Sequence, residues 1–309
     1  MIRINDPYPS YLALVENGRL EERASKLNHV LEECTLCPWQ CRVNRSAGEC
    51  GQCQTGCEAK VYSFTPHHGE EKPLSGTKGS GTIFFSGCNL HCVFCQNADI
   101  SQENYGSLVT ADKLADMMLA LQEQSCHNIN LVSPTHVVPQ ILQALLIASR
   151  KGLSLPLVYN SGGYESLETL EFLDGIMDIY MPDMKYDNPE TAYHLSGITN
   201  YPTINRRAVR EMHRQVGDLI IDQAGIAQRG LIVRHLVLPG YQSDTKNIVD
   251  FLSREISANT YVNIMAQYRP EHKANEYSEI NRRISRREYQ EAIQAARAAG
   301  LNRLDGVID

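Results

Sequence analysis

The stretch TIFFSGCNLHCVFCQN, residues 82–97, decides the reading of this chain. A short apolar run ends in a glycine, and three cysteines follow, Cys88, Cys92 and Cys95, with the spacing C-x3-C-x2-C. Four thiolates close the shell of a zinc ion or cap every iron of a cubane. Three thiolates on a four-iron cubane leave one iron open, and an open iron can chelate a small molecule through an amine and a carboxylate.

Outward from that loop the chain alternates between strand and helix patterns. TADKLADMMLALQEQ, residues 110–124, opens on a threonine N-cap and carries apolar residues at helical spacing. The same order recurs after NINLVS (128–133), LPLVYNSGG (155–163), MDIYMPDMK (177–185), LIVRHLVLPG (231–240) and YVNIMAQYRP (261–270), each leading into a helical segment. Six such units in about 220 residues predict an α/β fold with a parallel sheet, doubly wound or closed toward a barrel. An extra amphipathic stretch falls at about 201–223. Several strands end in polar or glycine-rich loops: Ser133-Pro134-Thr135-His136, Asn160-Ser161-Gly162-Gly163, Asp183-Met184-Lys185 and Pro239-Gly240. Ligands bind at the C-terminal ends of parallel strands, so these loops are expected to share one mouth with the cysteine loop. Asp183 and Lys185, two apart, point to the same side, whether as a surface ion pair or toward a ligand. Gly162-Gly163 reads equally as a plain turn, and His136 as a helix cap or a ligand contact.

The bulk numbers set the class. The 309 residues contain 42% hydrophobic and 21% charged residues, ordinary for a folded globular protein. A net charge of −7 argues against nucleic acid or an anionic membrane as partner. The one basic run, Arg282 to Arg287, reads as a solvated helix face. The segment MIRINDPYPSYLALVENGRL lacks the apolar stretch of a signal peptide, and nothing spans the ~20 apolar residues of a membrane helix, so a cytoplasmic protein is expected. In a reducing compartment the ten cysteines point to metal or Fe–S ligation instead of disulfides. Nine of them fall between Cys34 and Cys95; Cys126, at the end of a helical stretch, reads as buried and inert.

The cysteine loop after a first strand, with aromatic Phe94 before its last cysteine, resembles the signature of the radical S-adenosylmethionine (SAM) superfamily. NSGGY (160–164), MPDMKY (181–186) and VRHLVLPG (233–240) resemble segments of pyruvate formate-lyase activating enzyme. Together with CTLCPWQC (34–41), VSPTH (132–136) and MAQYRP (265–270), they are most similar to the PflX-type, activating enzyme-like subgroup, over about residues 34–268. The resemblance implies a partial (β/α)6 barrel. It divides the chain into a Cys-rich N-terminal metal-binding region (1–80), the barrel (81–270) and a C-terminal helical extension (271–309). It also implies a [4Fe–4S] cluster on Cys88, Cys92 and Cys95 and bound SAM, which a low-potential electron donor such as flavodoxin or ferredoxin splits through the cluster to a 5′-deoxyadenosyl radical. No side chain is needed as a general base for that step. By the same analogy Lys185 pairs with the methionine carboxylate and Arg234 lies close to SAM, while Asn160, Ser161, Met181 and Asp183 surround a monovalent cation. Asn160 departs from the activating enzyme, which has an acid there; an amide offers oxygen without charge.

The remaining six clustered cysteines read C-x2-C-x3-C twice, as Cys34-Cys37-Cys41 and Cys50-Cys53-Cys57. The subgroup's pattern maps onto Cys34, Cys37, Cys41 and Cys53 as a closed quartet, and spacing does not separate zinc from a second Fe–S cluster. Residues 1–80 show little periodicity beyond these ligands, and His67, His68, Glu70 and Glu71, just before the first barrel strand, read either as a hydrated loop or as facing the mouth, where at most one of the adjacent histidines would meet a ligand. The functional expectation is therefore a radical SAM oxidoreductase acting on an unassigned substrate, a protein glycine if the activating-enzyme resemblance extends that far. The alternatives are a non-enzymatic Fe–S electron carrier and a zinc-binding module.

Overall fold

The computed structural model describes residues 9–306. Residues 1–8 and 307–309, and with them the start of the segment read for a signal peptide, lie outside the described residues. The strands are β1 (Ala59–His67), β2 (Ser80–Phe85), β3 (Ser107–Val109), β4 (Ile129–Val132), β5 (Leu157–Ser161), β6 (Ile179–Pro182), β7 (Ile220–Ile221), β8 (Ala227–Leu236), β9 (Tyr261–Met265) and β10 (Arg303–Asp305). The helices are α1 (Tyr11–Glu16), α2 (Arg19–His29), α3 (Lys72–Ser75), α4 (Ala98–Ser101), α5 (Ala111–Glu123), α6 (Val138–Arg150), α7 (Leu167–Leu173), α8 (Pro189–Ser196), α9 (Tyr201–Val216), α10 (Thr245–Phe251) and α11 (Arg286–Ala298).

The sheet runs β10-β9-β8-β6-β5-β4-β2-β1-β3, with β7 paired to β8. Neighbours from β2 to β10 along this order are parallel. β1 is antiparallel to β2 and β3. The six expected strands are β2, β4, β5, β6, β8 and β9, and the fold is the α/β partial barrel. The crossover helices pack by an apolar face, and α5, α7, α8 and α11 also start on a side-chain cap. Thr110 accepts a hydrogen bond from the Lys113 N–H to start α5, which buries Leu114, Ala115, Met118 and Leu121. On β5 every residue is buried and the sides alternate: Leu157 and Tyr159 join the outer core, while Val158 joins an inner cluster with Leu74, Ile179, Met181 and Ile232.

Two segments differ from their sequence reading. Before the first cysteine, α2 buries Leu20, Ala24 and Leu27 and packs on α6, with Gln143 donating to Asn28 across the seam. The stripe is a narrow one in a strongly charged helix, which hid its period. The basic run 282–287 straddles a helix start instead of lining a helix face, because Ser285 and Glu288 form a capping box and Arg282 pairs with Glu288 at 2.7 Å. Among the described residues no helix is long and apolar enough to cross a membrane.

Candidate active site

The cysteine loop leaves the C-terminal end of β2, and glycines let it seat closely. A Cβ on Gly162 would stand 2.5 Å from Leu90 Cδ1, so the β5 end and the cysteine loop are in close contact there and a side chain would make Leu90 shift. Cys92 is buried, and Cys88 and Cys95 are half-buried. Burial pushes the Cys88 thiol up to about 12 and raises Cys92 as well, with Lys185 opposing the rise at both. Thiols so disfavoured as free anions ionise when a metal takes the proton's place. Each sulfur has a polar neighbour. Ser196 Oγ donates to Cys92 Sγ at 3.1 Å and is itself held by the Tyr186 hydroxyl. Ser101 Oγ lies 3.2 Å from Cys95 Sγ, and the Leu90 N–H donates to Cys88 Sγ. Phe94 is buried edge-on against Tyr186 and Tyr268.

A cavity of about 220 Å³ opens beside the loop, lined by Cys92, Phe94 and Cys95 on one side and by Asp183, Lys185, Arg234 and Met265 on the other. Of the four loops expected to share one mouth, the cavity is lined by Asp183 and Lys185, and Asn160 reaches it through Arg234; His136 turns to the N-terminal cysteines and Gly240 bonds Glu288 instead. Lys185 Nζ sits 2.7 Å from one Asp183 oxygen and Arg234 Nε 2.9 Å from the other, while the second Arg234 nitrogen donates to Asn160 Oδ1 at 2.7 Å. Burial opposes ionisation of Asp183, but Arg234 and Lys185 outweigh it and hold the carboxylate below its ordinary range. The same ion pairing overrides burial to raise Lys185 and Arg234. The oxygens expected around a monovalent cation are thus taken by two cationic side chains. Ser161 Oγ accepts from the Gly163 N–H, and Met181 packs in the inner apolar cluster, so the donor set does not fit such a cation. The helix after this strand pins the loops: Tyr201 hydroxyl and Asn205 Nδ2 both bond the Asp183 carbonyl, and they bond the Gly162 and Gly163 carbonyls respectively.

Glu70 and Glu71 correct the sequence reading. They are not in a hydrated loop: Glu71 is buried and bonded to Asn263, and Glu70 Oε2 lies 3.8 Å from Arg234. Burial raises Glu70 first, and Glu71 adds to the rise, against Arg234. His67 and His68 are exposed. Glu165 was also missed. It is wholly enclosed and accepts from the Thr135 and Tyr159 hydroxyls, with burial raising it to about 7. An acid beside a Lys-Pro or after a Gly-Gly turn carries no spacing signal that marks it as interior.

The N-terminal cysteines form a separate group. Cys34, Cys37, Cys41 and Cys53 line one enclosed cavity together with Arg45 and His136. Cys50 and Cys57 are exposed. His136 therefore faces the N-terminal cysteines, its Nε2 bonded to the Ser86 carbonyl at 2.8 Å. Cys126 is buried, as expected. Among the described residues no three His, Cys, Asp or Glu side chains converge on a point that would hold a single metal ion.

An α/β partial barrel with three cysteines at the end of its first parallel strand defines a class, and comparison gives it a family. The model of the radical SAM superfamily matches residues 82–252, and this chain belongs to that superfamily. It is 33% identical over 301 residues to the uncharacterized protein MJ0674 of Methanocaldococcus jannaschii, covering 94% of this chain and 82% of that one. Among solved structures it is similar to a radical SAM methyltransferase from Sphaerobacter thermophilus, at 15% identity and TM-score 0.51, over 71% of this chain and 64% of that one. It is also similar to the radical SAM methyltransferase TsrM from Kitasatospora setae, at 14% identity and TM-score 0.46, over 69% and 50%. The chain spans less than two thirds of the length of these structures, and the likeness concerns the fold. Membership makes the protein a radical SAM enzyme, with a [4Fe–4S] cluster, SAM and a need for a reductant.

Proposed function

We propose that Cys88, Cys92 and Cys95 hold the [4Fe–4S] cluster, that SAM completes it from the 220 Å³ cavity, and that the chain uses the resulting 5′-deoxyadenosyl radical to take hydrogen from a substrate. When bound, the cluster supplies the single electron that splits the sulfonium carbon–sulfur bond. The chain's own residues bind and orient. Lys185 pairs with the methionine carboxylate, Arg234 holds Asp183 and Asn160 in place beside it, and Phe94 with Tyr186 and Tyr268 keeps water from the cluster side. Ser196, Ser101 and the Leu90 N–H stabilise the thiolates.

One observation carries this reading: Cys92 and Cys95 line the mouth cavity together with the half-buried cations Lys185 and Arg234, Cys88 sits on the same loop, and no thiol from outside that loop lines the cavity among the described residues. A closed carrier or zinc module needs a fourth protein ligand there. The finer assignment, an oxidoreductase that activates a glycyl-radical enzyme in the cytoplasm with flavodoxin or ferredoxin as donor, is supported by the resemblance of NSGGY, MPDMKY and VRHLVLPG. The test is anaerobic reconstitution followed by SAM and dithionite. Formation of 5′-deoxyadenosine supports the reading, deuterium carried into it from a labelled candidate identifies the substrate, and absence of cleavage from a fully loaded cluster overturns it.

A further inference from the structure

The three mouth sulfurs differ in what bonds them. Cys88 takes a backbone N–H, Cys95 lies against the half-buried Ser101, and Cys92 takes a hydroxyl that is itself held by a second hydroxyl. Ser196 Oγ donates to Cys92 Sγ at 3.1 Å, and the Tyr186 oxygen lies 2.8 Å from Ser196 Oγ. Both residues are 1% exposed, so bulk water replaces neither bond. A thiolate sulfur can only accept, which orders the protons: Tyr186 donates to Ser196, and Ser196 to Cys92.

Local structure fixes this relay. Helix α8 starts on Asn188, whose side chain accepts from the Glu190 and Thr191 N–H groups, carries Pro189 as its first residue, and stops at Gly197 with φ +71°. Ser196 is therefore its last residue. The Val93 N–H donates to the Leu195 carbonyl at 2.9 Å and seats that helix end on the cysteine loop. A helix serine ordinarily bonds the carbonyl four residues back; that of Ala192 takes the Ile198 N–H, and Ser196 turns to the sulfur. The Tyr186 ring is held edge-on by Phe94 and Tyr201, with centroids 6.2 and 5.6 Å away. Burial disfavours charge on Cys92, and Lys185, then the Ser196 and Tyr186 hydroxyls, work against it. Lys185 is also paired to Asp183 at 2.7 Å, whereas the relay ends on the sulfur.

We propose that the Tyr186–Ser196 relay raises the reduction potential of the mouth cluster through Cys92 and so brings it within reach of a low-potential one-electron donor. This rests on the reading of the mouth given above. On reduction the donor loses one electron and the cluster gains one, and part of the added negative charge falls on the thiolate sulfurs. A hydroxyl aimed at one of them stabilises the reduced state more than the oxidised state, which moves the potential upward. The protons stay on their oxygens throughout. In a dry site the two bonds polarise each other in one direction, and solvent does not average them away. Neither residue lines the mouth cavity, so both act through Cys92 as positioning residues.

The test is an electron paramagnetic resonance titration of the reconstituted full chain at poised potentials, followed by addition of SAM. Ser196→Ala is expected to keep its iron and to lower the ratio of reduced to oxidised cluster at a fixed potential about tenfold, which is about 59 mV for one electron. Tyr186→Phe keeps its ring contacts and leaves Ser196 on the sulfur, so a smaller drop is expected. Ser101→Ala, at a half-buried position where water can take the place of the hydroxyl, is expected to move the ratio less than Ser196→Ala does. A ratio that does not fall in iron-loaded Ser196→Ala, or that falls as far in Ser101→Ala, overturns the proposal. Should Ser196→Ala fail to hold its iron, Tyr186→Phe decides by the same criterion. A wild-type cluster whose signal ignores SAM would instead sink the reading of the mouth.

Discussion

The two cysteine sites differ less in their sulfurs than in what faces them. At the mouth, Cys92 and Cys95 share a 220 Å³ space with Lys185 and Arg234, which are already paired to Asp183. Behind it, four thiols line a void of about 10 Å³ beside Arg45, which no carboxylate bonds among the described residues. The first arrangement has room to admit a small molecule that carries a carboxylate; the second is closed. Ligand count sets what a cluster can do, and the charged neighbours set what can join it.

The sharpest way to break the comparison is to remove one mouth thiol. Cys92→Ala is expected to reduce 5′-deoxyadenosine formation to background while the chain keeps its far-ultraviolet dichroism; loss of both together would mean that this thiol serves the fold and not a cluster. Next in size is Lys185→Met. It removes one charge-assisted contact to the carboxylate of SAM, about 1.5–3 kcal/mol, so SAM binding is expected to weaken about 10- to 100-fold by equilibrium titration. Asp183 keeps Arg234, so the chain is expected to fold.

Glu165 sits in the seam between the sites. It bonds Thr135, the neighbour of His136, while Thr169 of the following helix donates to the carbonyl of Leu36, the neighbour of Cys37. Its carboxyl is raised from 4.5 to about 7 by burial. The folded state therefore holds a proton that the unfolded state has lost between these values. The contribution is full below 4.5 and disappears as pH rises through 7. Glu165→Gln is expected to flatten that decline, by up to about 3 kcal/mol between pH 5 and 8 in denaturant titrations. An unchanged slope would show that other groups carry it.

How much of this was legible follows from the kind of signal each part leaves. The strands β2, β4, β5, β6, β8 and β9 are apolar runs ended by glycine or proline, and their parallel order groups Asp183 and Lys185 with the cysteine loop before any geometry is known, whereas Arg234 is placed there only by the family resemblance. Partners reached across the fold left no pattern. Ser196 finds Cys92 only because α8 returns over the loop, and Glu70 finds Arg234 only because the turn after β1 folds inward. The charge of Glu70 and Glu71 argued for water, and tertiary burial overruled it. Asn160 reads as a cation neighbour only through the family resemblance, from which it departs by being an amide, and its oxygen is claimed by an arginine 74 residues away.

Gly87 tests whether the sites are pressed together. Its φ of +82° is costly for a side chain, and an added Cβ meets the Cys53 carbonyl at 2.6 Å and Thr55 Oγ1 at 2.9 Å. Gly87→Ala is expected to lower stability by about 2 kcal/mol in a denaturant titration and to perturb the resonance signal of the mouth cluster, because the strained residue adjoins Cys88. Unchanged stability would show that the two loops are not pressed together.

Trp39→Phe is the mildest change. It keeps an aromatic ring in the packing and gives up only the N–H bond to the Asn89 carbonyl, about 1 kcal/mol. Trp39 is the only tryptophan of the chain, so its fluorescence reports on this seam alone. That bond ties the indole to the loop between Cys88 and Cys92, so its emission is expected to fall when the mouth takes up iron and to stay unchanged in the chain that lacks all three mouth thiols. Emission that ignored loading of the mouth would mean that the indole does not sense that loop, because the one bond that joins them would then carry no change from one to the other.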